Sequence, residues 1–343
     1  MTNPVLTNNT LRVKESNTSL ILEMLKDSEV ATRADIARVT GLSVATCGNI
    51  LKDLVASGEI LEGDLENLSG GRPARQYVYN KNYSQIIGMT IQSDTGLKTL
   101  QYAVTNLYGE IIEEKVKAYD TIDSELVIQI VSELLQNHPN VKAIGIGVPG
   151  FIASDGSIGI ADIEELNGVN LAEPLEQRFN INVTVDRSPS LSAYGFYKSS
   201  SEYSGTTLAT LLMPIEHPLG AGFIINDQIY KGAFNTAGEI SYIYEGFSKE
   251  VFTGQNSKVN QKERILFSAA SIIATINPSV IVLMGKGFTN ELYEAIQSKC
   301  ADIFPHDFLP KFVLHSEYSD TYLKGAIQIA IDSLRPTVKL VVK

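Results

Sequence analysis

Residues 141–150 read VKAIGIGVPG. A short apolar run that stops at a turn, here Pro149–Gly150, is the pattern of a strand buried on both faces. The flanking segments support that reading. DSELVIQIVSELLQNHP (123–139) has the apolar spacing of an amphipathic helix. Downstream, NLAEPLEQRFN (170–180) reads as a helix and INVTV (181–185) as a second buried strand. Before them, SQIIGMTIQSDTGLKTLQYAVTNLYGEIIEEKVKAY (84–119) alternates in period two with a turn at NLYGE, a run of antiparallel strands.

The theme returns further along. TTLATLLMPIEHPLGAGFIINDQIYKG (206–232) is strand, turn, strand, and KERILFSAASIIATINPSVIVLMGKG (262–287) is helix then strand. A helix at 289–299, the strand KFVLHS (311–316) and a helix at 319–334 complete it. Strands and helices alternating twice over predict two α/β lobes with a cleft between them.

The front of the chain has another character. Three helices are expected within residues 17–61. The first places Leu20, Ile21, Met24 and Leu25 on one stripe. The second starts at Thr32 as N-cap with Asp35 at N3 and ends at Gly41. The third starts at Ser43, buries Val44, Cys47, Ile50, Leu51 and Leu54, and ends at Gly58. Two short helices around a Gly-containing turn form a helix-turn-helix arrangement. GEILEG (58–63) and RQYVYN (75–80) then flank the tip SGGRPAR (69–75), which reads as a β-hairpin wing. On such a module the exposed face of the third helix would show Ser43, Ala45, Thr46, Asn49 and Lys52, short groups suited to base edges plus one phosphate contact. Arg72 would enter a minor groove, and Thr32, Arg33 and Arg75 complete the candidate DNA-binding set. The alternative is a winged-helix fold used for protein contacts.

Bulk properties narrow the classes. The 343 residues exceed one simple core, and 44% hydrophobic with 20% charged residues is a globular composition. Two distant cysteines, Cys47 and Cys300, exclude a disulfide framework and suit a reducing, cytoplasmic setting. The first residues carry no signal-peptide pattern, and no apolar run is long enough to span a bilayer. A net charge of −11 argues against non-specific coating of nucleic acid. Residues 1–81 hold slightly more acids than bases, so useful operator affinity would need a dimer.

Taken together, SGGRPAR (69–75), IGIGVPGFIASDGSI (144–158), GAGFIINDQIYKGAFNTAGEI (220–240), INPSVIVLMG (276–285) and YLKGAI (322–327) resemble the ROK family of repressors and sugar kinases, and its repressor branch in particular. The resemblance covers nearly the full chain. It implies an α/β protein in which an N-terminal winged helix-turn-helix (1–82) precedes a two-lobed, actin-like ATPase (ribonuclease H-like) ROK domain. Lobe 1 would span 83–186, with helix 319–334 returning to it, and lobe 2 would span 187–318.

Departures from the family's pattern carry the functional expectation. Thr90 and Gln92 stand where its kinases have an Asp for Mg²⁺ and a Gly for phosphate. Glu216, His217 and Pro218 replace the second phosphate loop. Arg187, Ser188, Pro189 and Ser190 replace an Asn-Asp-Ala-Asn whose Asp is the general base, a role Ser188 cannot take at neutral pH. Tyr242 stands in place of a zinc-binding His, and no cysteine follows before Cys300, so lobe 2 is expected to be trimmed and without zinc. No catalytic residue, metal or cofactor is therefore expected.

What survives of the sugar pocket by resemblance is Pro149, Gly150 and Glu239, joined by Arg187 and Ser188. Arg187 would either hold an anionic ligand, such as a sugar phosphate, or close the pocket in a salt bridge to Asp186 or Glu239. Asp162, Glu164, Glu165 and Asn167 lie on a loop that could reach the cleft but reads as surface. His138, His306 and His315 read as ordinary surface or turn residues. The expected function is a transcriptional regulator, a repressor of carbohydrate-related genes. It would bind double-stranded operator DNA as a homodimer or homotetramer and answer to a sugar or sugar-phosphate effector. An active sugar kinase and a ligand-independent regulator with a scaffold body are the alternatives.

Overall fold

The computed structural model describes residues 5–66, 74–94, 96–214, 219–245 and 261–334. It forms two compact units, Met1–Gln85 with Asn106–Tyr108 and Ser333–Lys343, and Ile86–Thr105 with Gly109–Asp332.

In the first unit α1 (Val5–Ser28), β1 (Val30–Thr32), α2 (Arg33–Thr40) and α3 (Val44–Ser57) precede β2 (Ile60–Glu66) and β3 (Ala74–Tyr79). The strands make one antiparallel sheet in the order β1-β3-β2. Local chemistry sets the helix ends. Thr32 and Asp35 form a reciprocal capping box at the start of α2, and Gly41, at φ 71°, closes it in the left-handed region. Ser43 caps α3 by accepting from Thr46 N–H. Ile21, Leu25, Ile36, Cys47, Ile50, Leu51, Leu54 and Ile60 form the core.

Three sequence expectations need correction here. The first helix starts at Val5, well ahead of residue 17. Leu20 is exposed one step off the Ile21–Leu25 stripe, and Val44 is exposed in the first turn of α3 although its spacing to Cys47 and Leu51 puts it on the buried side. Val30–Thr32 pairs as a strand with β3, where only a helix start was expected.

The second unit holds two five-stranded sheets. The first sheet orders β10 (Asn182–Arg187), β7 (Val141–Val148), β4 (Gln85–Asp94), β5 (Leu97–Asn106) and β6 (Ile111–Tyr119). The second orders β13 (Gln228–Ile229), β12 (Gly220–Ile225), β11 (Leu208–Leu212), β14 (Val280–Met284) and β15 (Lys311–His315). Numbered by chain order within each sheet, both read 3-2-1-4-5. The hairpin side is antiparallel and the far side parallel in each. α4 (Ser124–Asn137) and α5 (Ala172–Phe179) bury their apolar faces against the first sheet; after the single-turn α7 (Tyr242–Glu245), α8 (Gln261–Thr275) and α9 (Asn290–Ile303) do so against the second.

Two further helices, α6 (Ser188–Lys198) and α10 (Ser319–Ser333), share a third core with β11 and β14. They approach so closely that a Cβ on Gly195 would stand 1.8 Å from the Thr321 carbonyl oxygen, and one on Gly325 2.0 Å from that of Leu191. Only glycine permits this contact, and it fixes the position of α6, whose first residue enters the cleft. A small hairpin, β8 (Gly150–Ile152) and β9 (Ile158–Ala161), extends from the end of β7. No helix among the described residues is long and apolar enough to cross a membrane.

Candidate functional site

The site lies where the parallel strands β7 and β10 end. Their register pairs Val148 with Arg187, so Pro149–Gly150 and Ser188 leave the sheet side by side. The carboxyl ends of parallel strands are where α/β folds place ligands. A third wall comes from the segment after β13. There Gly238 turns at φ 95°, and a Cβ on it would stand 2.1 Å from the Ala221 carbonyl oxygen and 2.9 Å from Arg187 Nη2. Glycine is thus required, and the turn delivers Glu239 to the guanidinium.

Arg187 is 2% exposed and committed. Its Nη1 donates to Glu239 Oε1, Nε donates to Ser190 Oγ at 3.1 Å, and Nη2 donates to the Ala221 carbonyl at 3.4 Å. Asp186, the other carboxylate considered, pairs instead with Lys231 at 2.7 Å and accepts from Arg187 N–H at 2.8 Å. Of the two roles open to Arg187, the structure has the internal salt bridge, to Glu239. The charge is neutralised before any ligand enters.

Beside this pair lies a cavity of about 230 Å³. Pro149, Gly150, Ser188 and Glu239 line it, so four of the five expected ligand residues converge, and Arg187 stands behind the wall. Sequence reasoning missed Phe151, Ile160, Ser241 and Tyr242, which also line it. Asp162 is exposed, as its reading as loop surface expects, and also lies in the same wall. The hairpin register explains this: Gly150 pairs with Ala161, and Asp162 N–H donates to the Pro149 carbonyl at 2.9 Å. Its loop neighbours turn elsewhere: Glu165 pairs with Lys98 at 2.5 Å, Asn167 accepts from Ala161 N–H, and Glu164 is exposed.

The positions altered in the phosphate loops are placed as follows. Thr90 is fully buried in β4 with its hydroxyl unpartnered. Gln92 lines a smaller cavity of about 90 Å³ with Lys286 and Glu317. Glu216, His217 and Pro218 lie outside the described residues. His138 pairs with Glu113 at 2.9 Å, and His306 is exposed. His315 corrects its reading as a surface residue: its ring packs edge-on to Phe196, and burial pushes its pKa down.

In the first unit, Ala45, Asn49 and Lys52 are exposed along one stripe of α3, with Ser43 exposed at its start and Thr46 half-buried. Arg33 is exposed at the first position of α2. Thr32 is not available to DNA: it is 4% exposed and its hydroxyl donates to Asp35 Oδ2 at 2.6 Å. Arg75 forms an ion pair with Glu62. Arg72 lies outside the described residues.

Comparison with known proteins fits this arrangement. Residues 90–258 match the profile of the ROK family. A xylose repressor of Caldicellulosiruptor bescii is 28% identical over 254 residues, 71% of this chain and 62% of the relative. The chain thus spans less than two thirds of the xylose repressors it matches first. The DNA-binding transcriptional dual regulator NagC of Escherichia coli is 24% identical over 336 residues, 94% of this chain and 79% of that protein. Among solved structures, a ROK family transcriptional regulator described as a homologue of the E. coli MLC protein superposes with TM-score 0.70 at 17% identity, covering 94% of this chain and 97% of that one. With its two sheets of one topology and its cleft at the strand ends, the chain carries a ROK-family domain, matched over residues 90–258.

Proposed function

We propose that the chain is a sequence-specific DNA-binding transcriptional regulator, a repressor of carbohydrate-related genes, with a ROK body that senses a sugar and performs no phosphoryl transfer. In this reading residues 1–82 are a winged helix-turn-helix reader, and 83–186 with helix 319–334, and 187–318, are the two lobes. The observation that carries it is α3: capped at Ser43, three residues beyond α2, with Ala45, Asn49 and Lys52 directed outward. Such a helix suits the major groove. The names of the relatives, xylose repressor and NagC, point the same way. Selection of duplexes from a random library by the purified chain tests it: enrichment of a defined motif supports the reading, and no enrichment overturns it.

The cavity bears on the effector. Its wall carries the carboxylate of Asp162 and that of Glu239, the latter matched by Arg187, so no unmatched cation faces the cavity wall from this pair. That electrostatic setting disfavours a sugar phosphate and suits a neutral polyol, whose hydroxyls donate to Glu239 and Asp162 and whose ring packs on Phe151 and Tyr242. A volume of about 230 Å³ falls below the roughly 300–1,000 Å³ of drug-sized sites, as a single sugar ring requires. Thermal-shift measurements with xylose, glucose and N-acetylglucosamine against their phosphates should stabilise only with a free sugar; a shift with a phosphate alone would reverse the assignment. Ligand-dependent lobe closure would then change operator affinity through a coupling of about 1–3 kcal/mol in a dimer or tetramer. Ser188 at the expected base position leaves no proton acceptor there, so ADP release with any of these sugars is expected to be nil.

The locked Arg187 favours one other reading, a body that only assembles subunits. The open cavity beside the lock speaks against it.

A further inference from the structure

We propose that Arg33 reads sequence: its guanidinium, carried on the first residue of α2 and laid over Gly48 of α3, recognises a guanine in the major groove. The proposal rests on the DNA-binding reading above. Two independent observations lead to it.

The first is geometric. A Cβ on Gly48 would stand 3.2 Å from Arg33 Nη1 and 3.6 Å from its Cδ, so the arginine lies in the notch that the missing side chain leaves. A glycine inside a helix weakens that helix, and here its absent side chain admits the guanidinium. Gly48 adjoins Asn49 and lies one turn beyond Ala45 on the outward stripe. Arg33 therefore adds a forked donor to a helix face that otherwise offers an amide, a methyl and one ammonium.

The second concerns the cations, of which Arg12 on α1 and Lys52 on α3 also lack a salt bridge among the described residues, while most of the others are committed. In the first unit Lys14 is paired with Asp53, Arg38 with Asp35 and Arg75 with Glu62, while Lys26 sits over the Tyr108 ring. Arg33 is exposed and has no ion-pair or hydrogen-bond partner among the described residues. An uncommitted guanidinium on this face matches the O6/N7 edge of guanine bidentately, and Asn49 alongside matches adenine. A phosphate can take the same fork bidentately, so the selected motif and not the donor geometry separates the two contacts.

The test compares motifs selected from random duplexes by the full wild-type chain, Arg33→Lys, Arg33→Ala and Gly48→Leu, with circular dichroism confirming that each folds. The expected wild-type motif contains a G·C pair for which Arg33→Lys and Arg33→Ala lose roughly tenfold preference, the other positions persisting. Gly48→Leu, which fills the notch with Arg33 intact, should lose the same position. An unchanged motif with Arg33→Lys overturns the proposal, as does uniform weakening across all sequences, the mark of a phosphate contact. A wild-type chain that enriches nothing overturns the DNA-binding reading, and this proposal with it.

Discussion

Arg187 and Arg33 bring the same side chain into opposite surroundings. Arg187 is 2% exposed at the end of β10 and donates to Glu239, Ser190 and the Ala221 carbonyl. Arg33 is exposed at the start of α2 with no such partner among the described residues. The difference follows from solvation. A guanidinium taken out of water must be matched by acceptors within the protein, and once matched it is spent. One left in water remains available to a polyanion. In this chain, then, burial separates the arginines that hold the fold from those that can meet a partner.

The sharpest way to break that distinction is Glu239→Ala. It leaves the buried guanidinium without its counter-charge and is expected to cost about 3 kcal/mol, read from urea denaturation of the full chain. Arg187→Met should cost less, since Glu239 at 25% side-chain exposure can hydrate through the cavity. Replacing both, Arg187→Met with Glu239→Leu, should recover most of the loss, because a buried pair contributes little beyond an apolar pair of similar volume. A Glu239→Ala protein as stable as wild type would show that Arg187 has water or another acceptor, and the contrast would dissolve. Next in size is Gly195→Ala, which pushes a methyl onto the Thr321 carbonyl. Forcing α6 from α10 is expected to cost about 2 kcal/mol and to loosen the cleft wall at Ser188.

These expectations show which features local sequence carries and which it does not. Thr32, Asp35, Gly41, Ser43 and Gly58 announce helix ends through interactions within four residues, and each acts as such. The two rounds of strand and helix were legible, whereas the 3-2-1-4-5 order they share came only with the structure. β1 was not, because three residues carry no period and its partner β3 lies more than forty positions away. At the cleft, Pro149, Gly150, Ser188 and Glu239 were found through motif resemblance. Phe151 and Tyr242 were missed and Asp162 was only one of four loop candidates, because the β8–β9 register and the turn after β13 bring them in, and neither can be read from spacing. The choice between Asp186 and Glu239 as partner of Arg187 likewise depended on the Gly238 turn.

An effect of intermediate size tests burial within the first unit. Thr32→Ala removes the buried cap of α2 and should destabilise it by about 1 kcal/mol, seen as faster amide exchange along α2 in the full chain. The cap also makes a pH prediction. The Thr32 hydroxyl, with Arg38 beside it, holds the Asp35 carboxyl below its ordinary 3.8. A depressed carboxylate contributes stability above its unfolded value and loses it as the pH falls through the folded value. Exchange protection in α2 should therefore decline below about pH 4 in wild type and more weakly in Asp35→Asn. A decline of equal steepness in both would remove Asp35 from the account.

The smallest expected effect marks the other boundary of the argument. Lys14 Nζ lies 2.7 Å from Asp53 Oδ2, closer than the 3.0 Å of Arg38 to Asp35, and it joins α1 to α3. By distance alone it is a strong bond, and it holds the Asp53 carboxyl below its usual range. Yet both side chains are 58% exposed. Water and salt screen such a pair, and ordering two long side chains offsets what attraction remains. Lys14→Ala should leave amide exchange in α3 and the melting temperature at wild-type values in physiological salt, with a difference emerging only at low ionic strength. If it instead loosens α3 as much as Thr32→Ala loosens α2, proximity and not burial decides which charges hold this protein together. The reasoning that frees Arg33 for a partner would then have to be made on distance.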